Sequence, residues 1–373
     1  MIYLDYAANT PANEQVINMF SEVSRSFLAN PNSTHKLGRM AAERLSESTK
    51  KIASILEVLE SEVIFTSGAS ESNNMAIKGA AAQNKKFGKH IISTFLEHSS
   101  VNGAVGYLKN DGYEVDYVEI TQDGLIDLNS LKELLRNDTI LVSICYVDSE
   151  VGLRQPIIEI GKIIRNYPKC IFHVDATQAV GKIHVNLENV DLITFAPHKF
   201  YGLNGCGVLI KKENILIEPL IHGGTSTTAF RSGTPALGMI AATEKALELA
   251  YENLDSNYDY VKKINEKLKK TLSKYQNVKI NSNENSVPFI LNISINKVNT
   301  EEFKLELEKY DIYVSTKSAC CAPNTASRPV YAMTKDRKRA LSTLRISLSH
   351  LTKEEEINLF LEAFDKCMKK FEK

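Results

Sequence analysis

Three short stretches follow apolar runs and carry side chains able to do chemistry. Val63-Ile64-Phe65-Thr66 reads as a buried strand. It runs into Ser67-Gly68-Ala69-Ser70-Glu71-Ser72-Asn73, which opens a helix. A small-residue turn at a helix start leaves backbone N–H groups free at the positive end of the dipole, a cradle for phosphate. Such a joint also needs glycine for the turn alone. Ile171-Phe172-His173-Val174 ends in Asp175-Ala176-Thr177-Gln178. A single acid there could equally be a helix N-cap. The run from Asp191 to Ala196 ends in Pro197-His198-Lys199. By itself, such a lysine is ordinarily a solvated cation. A fourth stretch, Ser318-Ala319-Cys320-Cys321-Ala322-Pro323-Asn324, sets adjacent thiols in a loop-like run of small residues.

In an open α/β sheet, ligands sit at the carboxyl ends of the strands. A lysine to hold an aldehyde as a Schiff base, an acid to pair with a pyridinium nitrogen and a phosphate cradle are together what pyridoxal phosphate requires. A thiol near pKa ~8.5 is mostly protonated at neutral pH, so a nucleophilic cysteine needs a cationic neighbour. Lys317 lies three residues before Cys320. Cys145, Cys206 and Cys367 sit in apolar or helical contexts, as small buried hydrophobes do.

The elements that must position these residues alternate. Helical patterns cover 41–56, 71–83, 128–135, 157–166 and 234–252. Strand patterns cover 63–66, 90–95, 139–147, 171–174, 191–196 and 207–211. Apolar strands alternating with helices imply a largely parallel sheet covered on both faces. Beyond residue 256 the pattern changes to a charged helix (258–275), strands at 290–295, 313–315 and 344–348, a helix at 300–310 and a last helix from Thr352. This predicts an α/β large domain over 15–255. A smaller α+β domain would comprise 1–14 and 256–373 and carry the cysteine loop.

The chain has 373 residues, 43% hydrophobic and 24% charged. That suffices for a large core without disulfides or structural metal. Lys+Arg and Asp+Glu are both 45, which argues against a generally basic nucleic-acid or membrane-surface binder. No apolar run is long enough to span a bilayer, the cysteines form no C-x-x-C pair, and the first residues lack a signal-peptide pattern. A reducing cytoplasm, no membrane, no direct nucleic-acid partner and no metal are expected.

With these motifs in order, the chain resembles the cysteine desulfurases of the NifS/IscS type, in the class V aminotransferase branch of fold-type I pyridoxal-phosphate enzymes. The likeness runs through Tyr3-Leu4-Asp5-Tyr6-Ala7-Ala8-Asn9-Thr10-Pro11, Asn30-Pro31-Asn32-Ser33-Thr34-His35, Phe65 to Asn74, Glu97-His98, Glu150-Val151-Gly152, His173 to Gln178, His198-Lys199, Arg231-Ser232-Gly233-Thr234-Pro235, Ser318-Ala319-Cys320 and Leu344-Arg345-Ile346-Ser347-Leu348. It implies a mostly parallel seven-stranded sheet and a transferase acting on L-cysteine. Lys199 would carry the Schiff base, Asp175 would pair with the ring nitrogen, and His98 would stack on the ring and move protons. Gln178 would bond the phenolic oxygen. Ala69, Ser70, His198 and Thr234 would hold phosphate, Thr234 reaching across a homodimer. Arg345 would clamp the substrate carboxylate, and Cys320 would become a persulfide, releasing alanine and passing sulfur to an acceptor protein for iron–sulfur cluster assembly or for tRNA or cofactor thiolation.

The chain departs from the family pattern in four places. Asp148-Ser149-Glu150 replaces Asn-Asn-Glu, so a cofactor-side donor becomes a carboxylate at Asp148. Ala196-Pro197 replaces Ser-Gly before His198-Lys199. The stretch Gly223 to Ala229 lacks the family's Glu-Arg pair. Thr316-Lys317 precedes Ser318-Ala319-Cys320, and Cys321 is additional. A selenocysteine lyase would use the same residues. A degenerate scaffold that binds a sulfur acceptor without turnover is the reading Asp148 and Ala196 motivate.

Overall fold

A computed structural model describes residues 1–317 and 325–371. Its strands, in chain order, are β1 (Ile2–Tyr3), β2 (Val63–Thr66), β3 (His90–Ser93), β4 (Glu114–Tyr117), β5 (Thr139–Cys145), β6 (Ile171–Asp175), β7 (Leu192–Phe195), β8 (Gly207–Lys211), β9 (Val278–Ile280), β10 (Ile290–Ile295), β11 (Ile312–Tyr313) and β12 (Thr343–Ser347). Seven form one sheet in the order β2-β8-β7-β6-β5-β3-β4. The sheet is parallel except at β8, which runs antiparallel to both β2 and β7. Because β8 reverses twice, β2 and β7 point the same way, and the carboxyl ends of β2, β3, β5, β6 and β7 gather along one edge.

β5 to β8 are buried along their whole length. Their alternate residues feed two cores, as expected of strands covered on both faces. Ile64, Ile91, Leu141, Ile171, Leu192 and Leu209 meet the helices Ala69–Asn84 and Ser99–Asn110. Val142, Phe172, Ile193 and Val208 belong to the opposite core, with the helices Ile157–Ile164 and Leu237–Glu252. His173 ties three strands together. Its ring is fully buried between Ser143 Oγ (2.8 Å, Nδ1) and Thr194 Oγ1 (3.2 Å, Nε2). Burial pushes its pKa down to about 4, so it is a neutral structural group.

The structure corrects the sequence expectation in a few elements. β4 pairs with β3 at the sheet edge, but its Glu-Val-Asp-Tyr pattern is half exposed and shows no apolar run. The helices Glu14–Ser26 and Ser99–Asn110 and the short strand β9 are additional to those predicted. The long helical pattern at 234–252 begins only at Leu237, after Pro235. A three-stranded sheet, β12-β10-β9, occupies the C-terminal part, and β1 pairs parallel with β11. The bridge Asp5↔Ser347 lays the amino-terminal segment beside β12. No described helix is long and apolar enough to cross a membrane.

Candidate active site

At the gathered strand ends lies a cavity of about 380 Å³. Lys199 enters it from the short 3₁₀ turn Pro197–Lys199, directly after β7. Its Nζ donates to the carbonyls of Ala7 (3.0 Å) and Ala8 (2.6 Å). The Tyr3–Pro11 segment, whose Ala7 and Ala8 lie 192 and 191 residues before Lys199 in sequence, therefore forms the wall that holds the lysine.

Asp175 closes the neighbouring strand, β6, and is 6% exposed. Its Oδ2 accepts from Asn73 Nδ2 at 2.8 Å and its Oδ1 from the Thr177 backbone N–H at 3.0 Å. Asn73 Nδ2 also reaches Ser100 Oγ at 2.9 Å. Both oxygens of Asp175 are thus fixed, as a partner for a ring nitrogen must be.

The third component is the start of the helix Ala69–Asn84. Its N-cap, Gly68, supplies no side-chain cap, so the first-turn amides beside Ala69 and Ser70 keep their capacity for an anion. Glu71 is turned away from that role: it accepts from the Ser67 N–H (2.7 Å) and from Arg231 Nε (3.0 Å). A Cβ at Gly207 would collide with the Gly68 backbone, so glycine is what lets β8 run so close beneath the cradle.

His98 caps the helix Ser99–Asn110 and lines the cavity. Its Nδ1 accepts from the Ser100 N–H at 3.2 Å, which assigns the proton of the neutral ring to Nε2. Burial lowers its pKa, and Lys199 and Arg328 lower it further against the pull of Asp175. His198 is driven down to about 4 by burial first and then by the charges of Lys199 and Lys182. Both histidines enter the site as neutral rings.

Arg345, from β12, is 1% exposed. Nη2 pairs with Asp5 Oδ1 at 2.7 Å and Nη1 donates to the Ser149 carbonyl at 2.8 Å. Its Nε has no partner among the described residues, nor does Thr177 Oγ1; both residues line the cavity. Two buried polar atoms without partners beside one opening indicate a site built to be completed by a ligand. A lysine amine, a fixed carboxylate and an uncapped helix start fit an aldehyde, a ring nitrogen and a phosphate, so the donor set suits pyridoxal phosphate.

The structure brings Ala69, Ser70, His98, Asp148, Asp175, Gln178, His198, Lys199 and Arg345 to this one cavity. Thr234 lies outside it, exposed in an adjoining groove that also borders Ser67. Cys320 and Cys321 lie outside the described residues. Cys145, Cys170, Cys206 and Cys367 are buried free thiols. Lys317 is 7% exposed, and its ammonium donates to the carbonyl (2.9 Å) and hydroxyl (2.7 Å) of Thr325. The positioning roles of Asn73, Ser100 and Asp5 carried no local signal, since each depends on a partner far away in the chain.

Asp148 is buried, and both of its oxygens serve its own loop. Oδ1 accepts from the N–H groups of Glu150 (2.8 Å) and Val151 (2.9 Å), and Oδ2 from that of Leu153 (2.7 Å). Burial pushes its pKa up to about 6 against the opposing effect of these three amides. The pKa is raised relative to the unfolded chain. The stabilisation linked to its proton is therefore complete below about pH 4 and is lost as pH rises through 6. Asp148→Asn lacks that titration and also places an amide nitrogen against the Leu153 N–H. It should cost about 1–3 kcal/mol through the unsatisfied donor. The stability gap between the two proteins should narrow as pH rises from 4 to 6. Thermal unfolding across that range checks this; a gap independent of pH would contradict it.

A family model described as aminotransferase class-V matches residues 2–360. The chain is 38% identical to a NifS/IcsS protein homolog of Lactobacillus delbrueckii subsp. bulgaricus, covering 100% of this chain and 98% of that one. It is 39% identical to the cysteine desulfurase IscS of Glaesserella parasuis, covering 99% and 93%. Among solved structures, a NifS-like protein superposes with a TM-score of 0.93 at 33% identity, over 99% of each chain. A structure of SspA in complex with cysteine superposes with a TM-score of 0.82 at 31% identity, over 93% of this chain and 99% of that one.

Proposed function

Since the chain belongs to the aminotransferase class-V family, we propose that it is a pyridoxal-phosphate-dependent cysteine desulfurase. The observation that carries this reading is the meeting of Lys199, Asp175 and Arg345 in one cavity beside an uncapped helix start. The cysteine desulfurase names of the relatives and the cysteine-bound structural neighbour support L-cysteine as substrate.

Pyridoxal phosphate bound at Lys199 supplies an electron sink that makes the substrate's Cα and Cβ–S bonds reactive. Asp175, held by Asn73 and the Thr177 amide, retains the proton on the ring nitrogen. The amides of Ala69 and Ser70, with His198, would hold the phosphate. Arg345 offers its planar fork to the α-carboxylate. It is oriented for this by Asp5 and the Ser149 carbonyl. Lys199 would carry protons at Nζ, and neutral His98 would exchange one at Nε2. The Cys320 thiolate takes the substrate sulfur: an S–S bond forms as the C–S bond breaks. The electron pair left on carbon takes a proton, and alanine departs.

The persulfide serves an acceptor protein in iron–sulfur assembly or thiolation, in the cytoplasm. Residues 15–255 form the cofactor-binding domain, and 1–14 with 256–373 the smaller one. Thr234, outside the cavity of its own chain, completes the phosphate site of a second subunit, so the active unit is a homodimer. Light scattering should give the mass of two chains; an active monomer at assay concentration would refute the shared site. The reading as a whole is tested by incubating the purified protein with L-cysteine and a thiol reductant. Equal amounts of alanine and sulfide are expected. A protein that binds the cofactor and an acceptor but releases neither would be a scaffold.

A further inference from the structure

Immediately behind the cavity stands a second lysine that the reaction above does not use. Lys182 is 8% exposed, and its Nζ donates to Gln178 Oε1 at 2.6 Å. No carboxylate pairs with it among the described residues. The charges it feels are those of Lys199 and Arg345, both cationic. Burial first, and then those two charges, pushes its pKa down to about 7. An amine placed so unfavourably calls for a compensating use.

That use is visible in the other end of the same amide. Gln178 Nε2 donates to the Ala7 carbonyl at 2.9 Å, and the same carbonyl accepts from Lys199 Nζ at 3.0 Å. Lys182, Gln178, Ala7 and Lys199 thus form one continuous hydrogen-bonded row. A glutamine amide has nearly the same shape in its two orientations, and only its partners decide between them. Turning Gln178 over would set its NH₂ against the protonated Lys182 ammonium, which has donors and no acceptor, and its carbonyl against the Ala7 carbonyl, losing both bonds.

We propose that Lys182 is a positioning residue that locks the amide of Gln178 with its NH₂ end toward the Lys199 cavity. This rests on the cofactor assignment above and deepens it. An N–H donor presented to an ionisable oxygen favours the anionic form of that oxygen. Held this way, Gln178 keeps the cofactor's phenolic oxygen ionised at neutral pH. A free amide would offer donor and acceptor alternately and lose that bias.

The test compares holoenzymes of the wild type, Lys182→Met, Gln178→Ala and the double variant, reading the pH midpoint of the cofactor's visible band. Methionine is close in size and removes the donor. Lys182→Met and Gln178→Ala should each raise the midpoint by about one pH unit, the worth of one hydrogen bond. In the Gln178→Ala background, Lys182→Met should add nothing. Lys182→Arg, which keeps a cationic donor, is the second variant and should titrate near the wild type. A Lys182→Met midpoint equal to wild type would overturn the proposal. So would a shift that persists without Gln178, which would mean the charge acts directly. A wild type with no visible band would overturn the cofactor assignment, and this inference with it.

Discussion

Lys199→Ala should yield a folded protein without the yellow, borohydride-reducible band and with turnover lowered by roughly four orders of magnitude or more. The substitution removes the covalent attachment point and the amine that Ala7 and Ala8 hold at 3.0 and 2.6 Å. The other lysine of this row, Lys182, is no substitute, because its Nζ is spent on Gln178 at 2.6 Å. The anion cradle at Ala69 and Ser70 does not involve Lys199. The variant should therefore still bind pyridoxal phosphate reversibly, and dialysis should remove it. A variant retaining a reducible chromophore and activity would show that another amine holds the cofactor.

Cys320→Ser separates cofactor chemistry from sulfur transfer. It should leave the visible band and its change on adding L-cysteine intact, while protein-bound persulfide disappears. A serine hydroxyl is far less acidic than a thiol and is a poor nucleophile toward sulfur. Alanine formation should fall by roughly 10²–10⁴-fold on that account. Cys321→Ser should leave the first turnover nearly unchanged, since neighbouring side chains in an extended segment point to opposite sides. Tryptic mass spectrometry after one turnover checks both. Sulfur found on Cys321 in the Cys320→Ser protein, with alanine still released, would reassign the nucleophile.

Asp175 and Lys199 are legible from spacing, because they follow the expected apolar strands 171–174 and 191–196 by one and three positions. Asp175 and Lys199 could be placed together because strand ends converge in a parallel sheet, and the small-residue turn before Ala69 marks a helix start by local chemistry alone. What was not legible depends on contacts between distant segments. The Asp5–Arg345 pair spans 340 residues and Asn73–Asp175 spans 102, and no periodicity announces either. Strand β4 carries no strand signal because edge exposure replaces the apolar run with Glu-Val-Asp-Tyr. Asp148 is the instructive intermediate. Its carboxylate on the amides of Glu150, Val151 and Leu153 is a local turn, with Gly152 at φ +82° supplying the left-handed residue. Nothing in residue type or spacing separates that turn from a carboxylate aimed at the cofactor, so an acid in place of the family's asparagine reads equally as a change on the cofactor side.

The central claim, that the chain moves sulfur from L-cysteine onto its own thiol, is tested most directly by a single turnover. The cofactor-loaded protein is mixed with less than one equivalent of L-cysteine without reductant, and the intact protein mass and free alanine are measured together. The account predicts one added sulfur atom per alanine formed, located on the peptide carrying Cys320. Alanine absent, or alanine formed with no sulfur retained on the protein, would contradict it.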